Sequence, residues 1–215
     1  MRVFLECVVV SPWQTNCYLV GAADGDECVV IDAGMGAETS VRSAAARHGR
    51  TPVAVLATHG HFDHVADAAE LGLPVWIHSA DRRMLADPSW GLAPQLDGFV
   101  GSCPEPSDVR EFDGLASLAL AGVEFELTHA PGHTPGGMLF RVAEADVLFS
   151  GDTLFAGSIG RTDFAVSDPA AMRRTLAGLL TLPDATTVLP GHGPRTTIGR
   201  ERAANPFLRP GDLED

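Results

Sequence analysis

Seven side chains in four separated clusters of this chain are of the kinds that bind metal ions. They are His59, His61, Asp63 and His64 in the run His59-Gly60-His61-Phe62-Asp63-His64, followed far downstream by His133, Asp152 and His192. Imidazole and carboxylate suit zinc, iron or manganese, and five of the eight histidines fall in these clusters. A lone member such as His133 would mean little; the set is what points to metal chemistry. Alternate spacing in an extended or turning loop lets His59 and His61 converge on one ion, with Gly60 permitting the tight path. Asp63 and His64 can then face a second ion about 3.5–4 Å away, the usual separation in two-metal sites. The other three histidines have ordinary explanations. His48 ends a helical pattern, where a cation suits the dipole, His78 ends a strand, and His129 stands four residues before His133 without a ligand role.

Such a site needs a scaffold that carries four distant segments to one rim. Apolar, β-branched runs predict strands at Val3 to Val10, Asn16 to Gly21, Glu27 to Asp32, Val53 to Ala57, Val75 to His78, Val123 to Thr128, Met138 to Val142, Val147 to Ser150 and Thr187 to Leu189. Helical patterns fall at Glu38 to His48, Val65 to Leu71, Ser79 to Leu85, Pro169 to Leu180 and Gly199 to Ala204. Asp168 is placed as an N-cap before Pro169 at the first helical position. Early strands follow one another by short turns and later ones alternate with helices, so the fold class is α/β and layered. The stretch Asp87 to Asp108, rich in proline, glycine and serine, has no periodicity and reads as a long loop. Each ligand cluster follows a strand and a turn residue, so all four are expected at strand exits, where ligands meet in open α/β layers.

Composition limits what this site can be attached to. A chain of 215 residues, 45% hydrophobic and 20% charged, is globular material for one domain spanning 1–215. The formal net charge is −13, from 15 basic against 28 acidic residues, which disfavours nucleic acid as a partner. The opening Met1-Arg2-Val3-Phe4-Leu5-Glu6 is no signal peptide, and no run of about twenty apolar residues follows, so a soluble cytoplasmic protein without a membrane partner is expected. Cys7, Cys17, Cys28 and Cys103 lack CxxC spacing and are read as buried free thiols without a role. Nothing in the sequence fixes the oligomeric state.

The ordered set, from Gln14-Thr15-Asn16 through the histidine motif and Ser150-Gly151-Asp152-Thr153 to Pro190-Gly191-His192-Gly193, resembles the metallo-β-lactamase superfamily over nearly the whole chain. The resemblance implies an αββα sandwich of two mixed sheets flanked by helices, with the site on its edge. It also implies that His59, His61 and His133 hold a first divalent ion, that Asp63, His64 and His192 hold a second, and that Asp152 bridges both. Zinc is the first expectation, with iron or manganese as alternatives. A hydroxide held between two such ions is a strong nucleophile near neutral pH, and a thioester, whose thiolate leaves with a parent pKa of about 8.5, suits that chemistry without a proton donor.

Within the superfamily, Asp152 resembles the bridging carboxylate of glyoxalase II-like hydrolases and persulfide dioxygenases, which true β-lactamases are expected to lack. The implied activity is therefore a metallohydrolase cleaving an S-2-hydroxyacyl-thiol thioester, with Asp63 and Asp152 as its catalytic carboxylates. A mononuclear ferrous persulfide dioxygenase is the alternative, and a non-catalytic metal-binding module a third. Gly160-Arg161-Thr162-Asp163-Phe164 resembles a segment of the same two groups. It makes Arg161 a candidate for a substrate carboxylate, with an Arg161–Asp163 pair shaping the loop as the other reading. Only 23 residues follow His192, too few for the helical domain that supplies much of the glutathione site in hydroxyacylglutathione hydrolases. Glu201, Asn205, Pro206 and Phe207 resemble the short tail of compact bacterial members, where packing is the expected role.

Overall fold

The computed structural model describes residues 2–92, 100 and 103–209. Two sheets lie face to face, each drawn from one half of the chain. The first comprises β1 (Val3–Val10), β2 (Thr15–Ala22), β3 (Glu27–Ile31), β4 (Thr51–Leu56), β5 (Val75–Ile77) and β6 (Val109–Glu111), side by side in that order. The second uses β7 (Ser117–Leu120), β8 (Val123–His129), β9 (Met138–Val142) and β10 (Val147–Gly151), then β13 (Thr187–Pro190) and β14 (Thr196–Thr197). Between them in sequence, β11 (Leu154–Phe155) and β12 (Ser158–Ile159) form a separate small hairpin. Both large sheets are mixed. Strands β3 to β6 run parallel while β1 to β3 are antiparallel, and β10 and β13 form a parallel pair in an otherwise antiparallel sheet.

Parallel neighbours need a crossover, and helices supply it. α1 (Ala37–Arg47) links β3 to β4, and α4 (Pro169–Leu179) lies between β10 and β13. Because β3 and the second half of β4 are covered on both faces, they read as unbroken apolar runs, whereas Leu5, Cys7 and Val9 of the edge strand β1 are exposed. In β3, Cys28 and Val30 pack outward with Val41, Ala44 and Ala45 of α1, while Val29 and Ile31 face the second sheet. The inter-sheet layer holds Phe112, Phe125, Phe140 and Phe149, all fully buried. On the far side, Met172, Leu176 and Leu179 of α4 cover Leu139, Leu148 and Val188. Three apolar clusters thus separate four layers, helix, sheet, sheet and helix. Asp168 caps α4, accepting from the Ala170 and Ala171 amides at 2.8 and 3.0 Å, with Pro169 in the first turn.

The local expectations need several corrections. The helix expected from Val65 to Leu71 is a single turn that starts earlier, α2 (Phe62–Val65), and turns follow it to Gly72. Ser79 to Leu85 divides into a 3₁₀ turn, Ser79–Asp81, and a short helix, α3 (Arg83–Ala86); the last helix is α5 (Ile198–Ala204). Strands β6, β7, β11, β12 and β14 were not anticipated, since two to four residues carry too little period-2 signal. Within the long loop Asp87 to Asp108, residues 93–99 and 101–102 lie outside the described residues, as do Met1 and residues 210–215 at the ends of the expected domain. Cys17 and Cys28 are buried free thiols as expected, whereas Cys7 is exposed on the edge strand β1 and Cys103 is half-buried. Among the described residues no helix is long and apolar enough to cross a membrane.

Candidate metal centre

The seven expected side chains meet at the seam between the sheets. Strand β4 ends at Leu56, and the turn that follows carries His59 and His61; His61 is the N-cap residue of α2, whose first turn holds Asp63 and His64. From the other sheet come His133 after β8, Asp152 directly after β10, and His192 after β13. A backbone bond from the Asn16 amide to Gly191 O, 2.7 Å, and two from the Asn16 side chain, 2.9 Å each to the Pro190 and Gly193 carbonyls, tie β2 to the His192 turn. Glycine is required where that turn passes the centre: a Cβ on Gly191 would strike Asp152 Oδ1 and His64 Cε1.

Two trios of donor atoms result. His59 Nε2 and His133 Nε2 lie 3.1 and 2.9 Å from His61 Nδ1. His64 Nε2 lies 3.1 Å from His192 Nε2, with Asp63 Oδ2 3.3 Å from the latter and 3.7 Å from the former. Asp152 reaches both trios, Oδ1 at 3.4 Å from His64 Nε2 and Oδ2 at 3.6 Å from each of His133 Nε2 and His192 Nε2. Ligands about 2.0–2.1 Å from a tetrahedral ion stand roughly 3.3 Å from one another, so these spacings are those of coordination edges. The buried Asp152 Oδ1 has no hydrogen-bond partner, the mark of an oxygen that awaits a cation. The donor set therefore fits two divalent ions.

The rings are aimed from behind. His133 Nδ1 donates to Arg161 O at 2.8 Å and His192 Nδ1 to Trp13 O at 3.0 Å, which leaves each Nε2 with its lone pair toward the centre. Thr58 Oγ1 donates to Asp32 at 2.8 Å and accepts from His59 Nδ1 at 3.1 Å. Asp32 also accepts from the Thr58 amide at 2.7 Å and from His64 Nδ1 at 2.8 Å. It is buried and takes a left-handed φ of 59°. A second buried carboxylate, Asp81, clamps the two histidine loops together, accepting from Gly60 N at 3.0 Å, Thr134 Oγ1 at 2.6 Å and Gly136 N at 2.6 Å. Neither aspartate was singled out from sequence. Asp32 left a trace, a carboxylate ending an apolar strand; Asp81 left none, since it sat in an ordinary helical pattern.

Burial pushes the His59 and His61 imidazoles well below their usual range, and neighbouring rings add to this. Burial acts the same way on His64, but Asp152, Asp32 and Asp63 outweigh it and carry the ring up to about 10. Burial likewise would raise Asp63, yet His64 and His192 hold its carboxyl below the ordinary carboxylate range. Without ions the carboxylates around His64 thus retain a proton that bound metal would displace.

Above the centre opens a cavity of about 450 Å³ bounded by His61, Asp63, His133, Asp152 and His192 on its floor. Arg161 stands on its wall and makes the internal pair that was one of its two readings. Its Nε and Nη2 donate to Asp163 at 2.8 Å each, and its guanidinium lies 4.6 Å above the Phe164 ring. His129 and His78 stack on each other 4.1 Å apart, away from the two trios, and His48 caps α1 and faces Glu6. Glu201 and Asn205 are buried and brace the β11–β12 hairpin through Gly157 N and Ser158 O, the packing role expected of that tail, whereas Phe207, expected to pack with them, is 47% exposed.

Residues 10–192 match the family model of the metallo-beta-lactamase superfamily. The chain is 43% identical over 206 residues to an uncharacterized protein of Mycobacterium tuberculosis, covering 90% of this chain and 92% of the other. It is 36% identical over 215 residues to the hydroxyacylglutathione hydrolase GloC of Haemophilus influenzae, covering 95% and 97%. Among solved structures, TTHA1623 in a di-iron-bound form superposes with a TM-score of 0.82 at 38% identity, covering 94% of this chain and all of the other. The BLEG-1 B3 metallo-beta-lactamase gives 0.81 at 33% identity, covering 95% and 99%.

Proposed function

The chain belongs to the metallo-beta-lactamase superfamily, and from that premise we propose that it is a metal-dependent hydrolase of thioesters of the S-2-hydroxyacyl-thiol type. In this reading His59, His61 and His133 hold one divalent ion, Asp63, His64 and His192 hold a second, and Asp152 lies between them. Zinc is the first choice of metal; the di-iron form of a structural neighbour makes iron the next. When bound, such ions lower the pKa of water toward neutrality and polarise a carbonyl oxygen. The protein's part is to fix the ligand rings through Asp32, Thr58, Trp13 O and Arg161 O, and to offer a walled cavity in which a carbonyl can lie beside Asp152.

One observation carries the reading: both trios are complete and a single carboxylate reaches each. A persulfide dioxygenase would hold a single ferrous ion at His59 or His61, His133 and Asp152, and its relatives keep second-site residues, so it is the likeness to GloC rather than the ligand list that favours the hydrolase. The likeness to GloC supports a thioester as substrate. The test is anaerobic thiol release from S-lactoylglutathione and from small acyl thioesters by the metal-loaded protein, with Asp152→Ala as control. Release that the control loses is expected. Since one neighbour is a B3 lactamase, a β-lactam is run alongside; its turnover in place of every thioester would overturn the proposal.

A further inference from the structure

The cavity over the metal centre is walled by rings and branched chains rather than by charge. Trp13, Phe62, Leu92, Phe155, Ile159 and Phe164 surround the ligand floor. Trp13 and Phe62 meet edge to face at 4.7 Å, and Phe164 stands edge-on to both His61 and His133, at 5.2 and 5.7 Å. Among the described residues that line this space, Arg161 is the one lysine or arginine, and Asp163 already takes two of its donors. Away from the floor, where bound ions would supply positive charge, an anionic group would meet only a cation whose charge Asp163 offsets, on a chain whose formal net charge is −13. Apolar matter entering would lie against these rings and branched chains and leave water on the faces they cover.

Resting on the hydrolase reading above, we propose that the cavity selects thioesters whose acyl chain beyond the carbon next to the carbonyl, the one that bears a 2-hydroxyl, is uncharged, apolar and larger than the methyl of lactoyl, and that its aromatic walls set this preference. A volume of about 450 Å³ is at the lower end of small-molecule sites, enough for a medium-chain or arylalkyl acyl group beside the reacting carbonyl. The bond broken is the acyl carbon–sulfur bond and the bond formed is acyl carbon–oxygen from water. The thiol leaves with the proton that water gives up at neutral pH, and no oxidant or reductant is involved.

Acetyl, butyryl, hexanoyl and phenylacetyl thioesters of N-acetylcysteamine, with the succinyl thioester as the charged match, separate the possibilities on the metal-loaded enzyme. The expected result is a kcat/KM that rises about fourfold per buried methylene until the space is filled, with succinyl far below butyryl. Trp13→Ser and Phe155→Ser should flatten that rise. Calorimetric binding of the corresponding unhydrolysable cysteamine amides to the metal-free protein should follow the same order. A flat series, or succinyl at or above butyryl, overturns the proposal. If the amides bind in the expected order while no thioester is cleaved, the hydrolase reading fails and the apolar selectivity of the cavity stands.

Discussion

Asp32→Asn tests whether the ligand geometry depends on a group that touches no ion. Asparagine keeps the volume and tolerates the left-handed φ of 59° at this position, so the fold should survive. What changes is the direction of one hydrogen bond. In the native protein Asp32 Oδ2 accepts from His64 Nδ1 at 2.8 Å, which leaves the Nε2 lone pair for an ion. An amide NH₂ placed there must donate instead, so Nδ1 becomes the acceptor, the proton moves to Nε2 and the ligand lone pair is lost. Turning the amide round sets its NH₂ against the Thr58 amide, which now donates to Oδ1 at 2.7 Å, and a buried donor left facing a donor costs about 1–3 kcal/mol. Either the His64 lone pair is lost or metal binding draws the amide into the costlier orientation; because Thr58 Oγ1 donates to the same oxygen at 2.8 Å and accepts from His59 Nδ1, the first trio is disturbed as well, at one remove. Loss of such an outer partner typically weakens metal affinity about 10–100-fold, or roughly 1.4–2.7 kcal/mol. Competition titration with a chromogenic chelator should show the ion of the second trio weakened by that factor and the ion of the first weakened less. Two ions held as in the parent protein, in a variant shown to be folded by circular dichroism, would refute the argument that Asp32 sets the His64 tautomer.

Asp81→Ala removes the acceptor of three buried donors on two loops and should cost about 3–5 kcal/mol in urea denaturation; a loss below about 1 kcal/mol would show that water replaces the carboxylate. Phe149→Ala, at a fully buried inter-sheet position, should cost about 3–5 kcal/mol with metal affinity changed little in the protein that remains folded. Chelation of the ions should lower Tm by an amount that grows with the free metal concentration replaced, since ligand binding to the native state alone stabilises by mass action; a Tm that ignores metal would sink the two-ion assignment. The Asp168 carboxyl is held below its usual value, mainly by the Ala171 and Ala170 amides. Its stabilisation of α4 is therefore present above the unfolded pKa and lost as pH falls through the folded value. The stability gap between the parent and Asp168→Ala should shrink in acid, and a gap that is constant with pH would count against the cap.

The seven residues that meet at the candidate centre were legible because the histidine spacing and the strand-then-turn context of each cluster are local properties. The long strands were legible for the same reason, and Asp168 with Pro169 announced α4 by residue type alone. Other features depend on partners far away in sequence. The helix after His64 stops within one turn because Ala33 N bonds His64 O and Asp67 N bonds Ala33 O, contacts that hold this segment against the end of β3. Short strands such as β6 and β14 exist only because a neighbour offers a ladder. Asp81 becomes meaningful when Gly60 and Gly136, 76 residues apart in sequence, arrive on either side of it.

Each sheet is built from one contiguous half of the chain, β1 to β6 before residue 112 and the other large sheet after residue 116. Each half supplies part of the centre, His59, His61, Asp63 and His64 on one side and His133, Asp152 and His192 on the other. Neither half alone can complete a trio. The ions would therefore act as rivets across the seam, closing a loop of as many as 129 residues between Asp63 and His192. For assembly this makes metal a late arrival: each half can form its own sheet with mostly short-range pairing, and full coordination becomes available only once the halves have docked. Two fragments divided in the turn between Glu111 and Ser117 would then be expected to find each other more tightly with metal than without, the occupied centre itself reporting that they had joined.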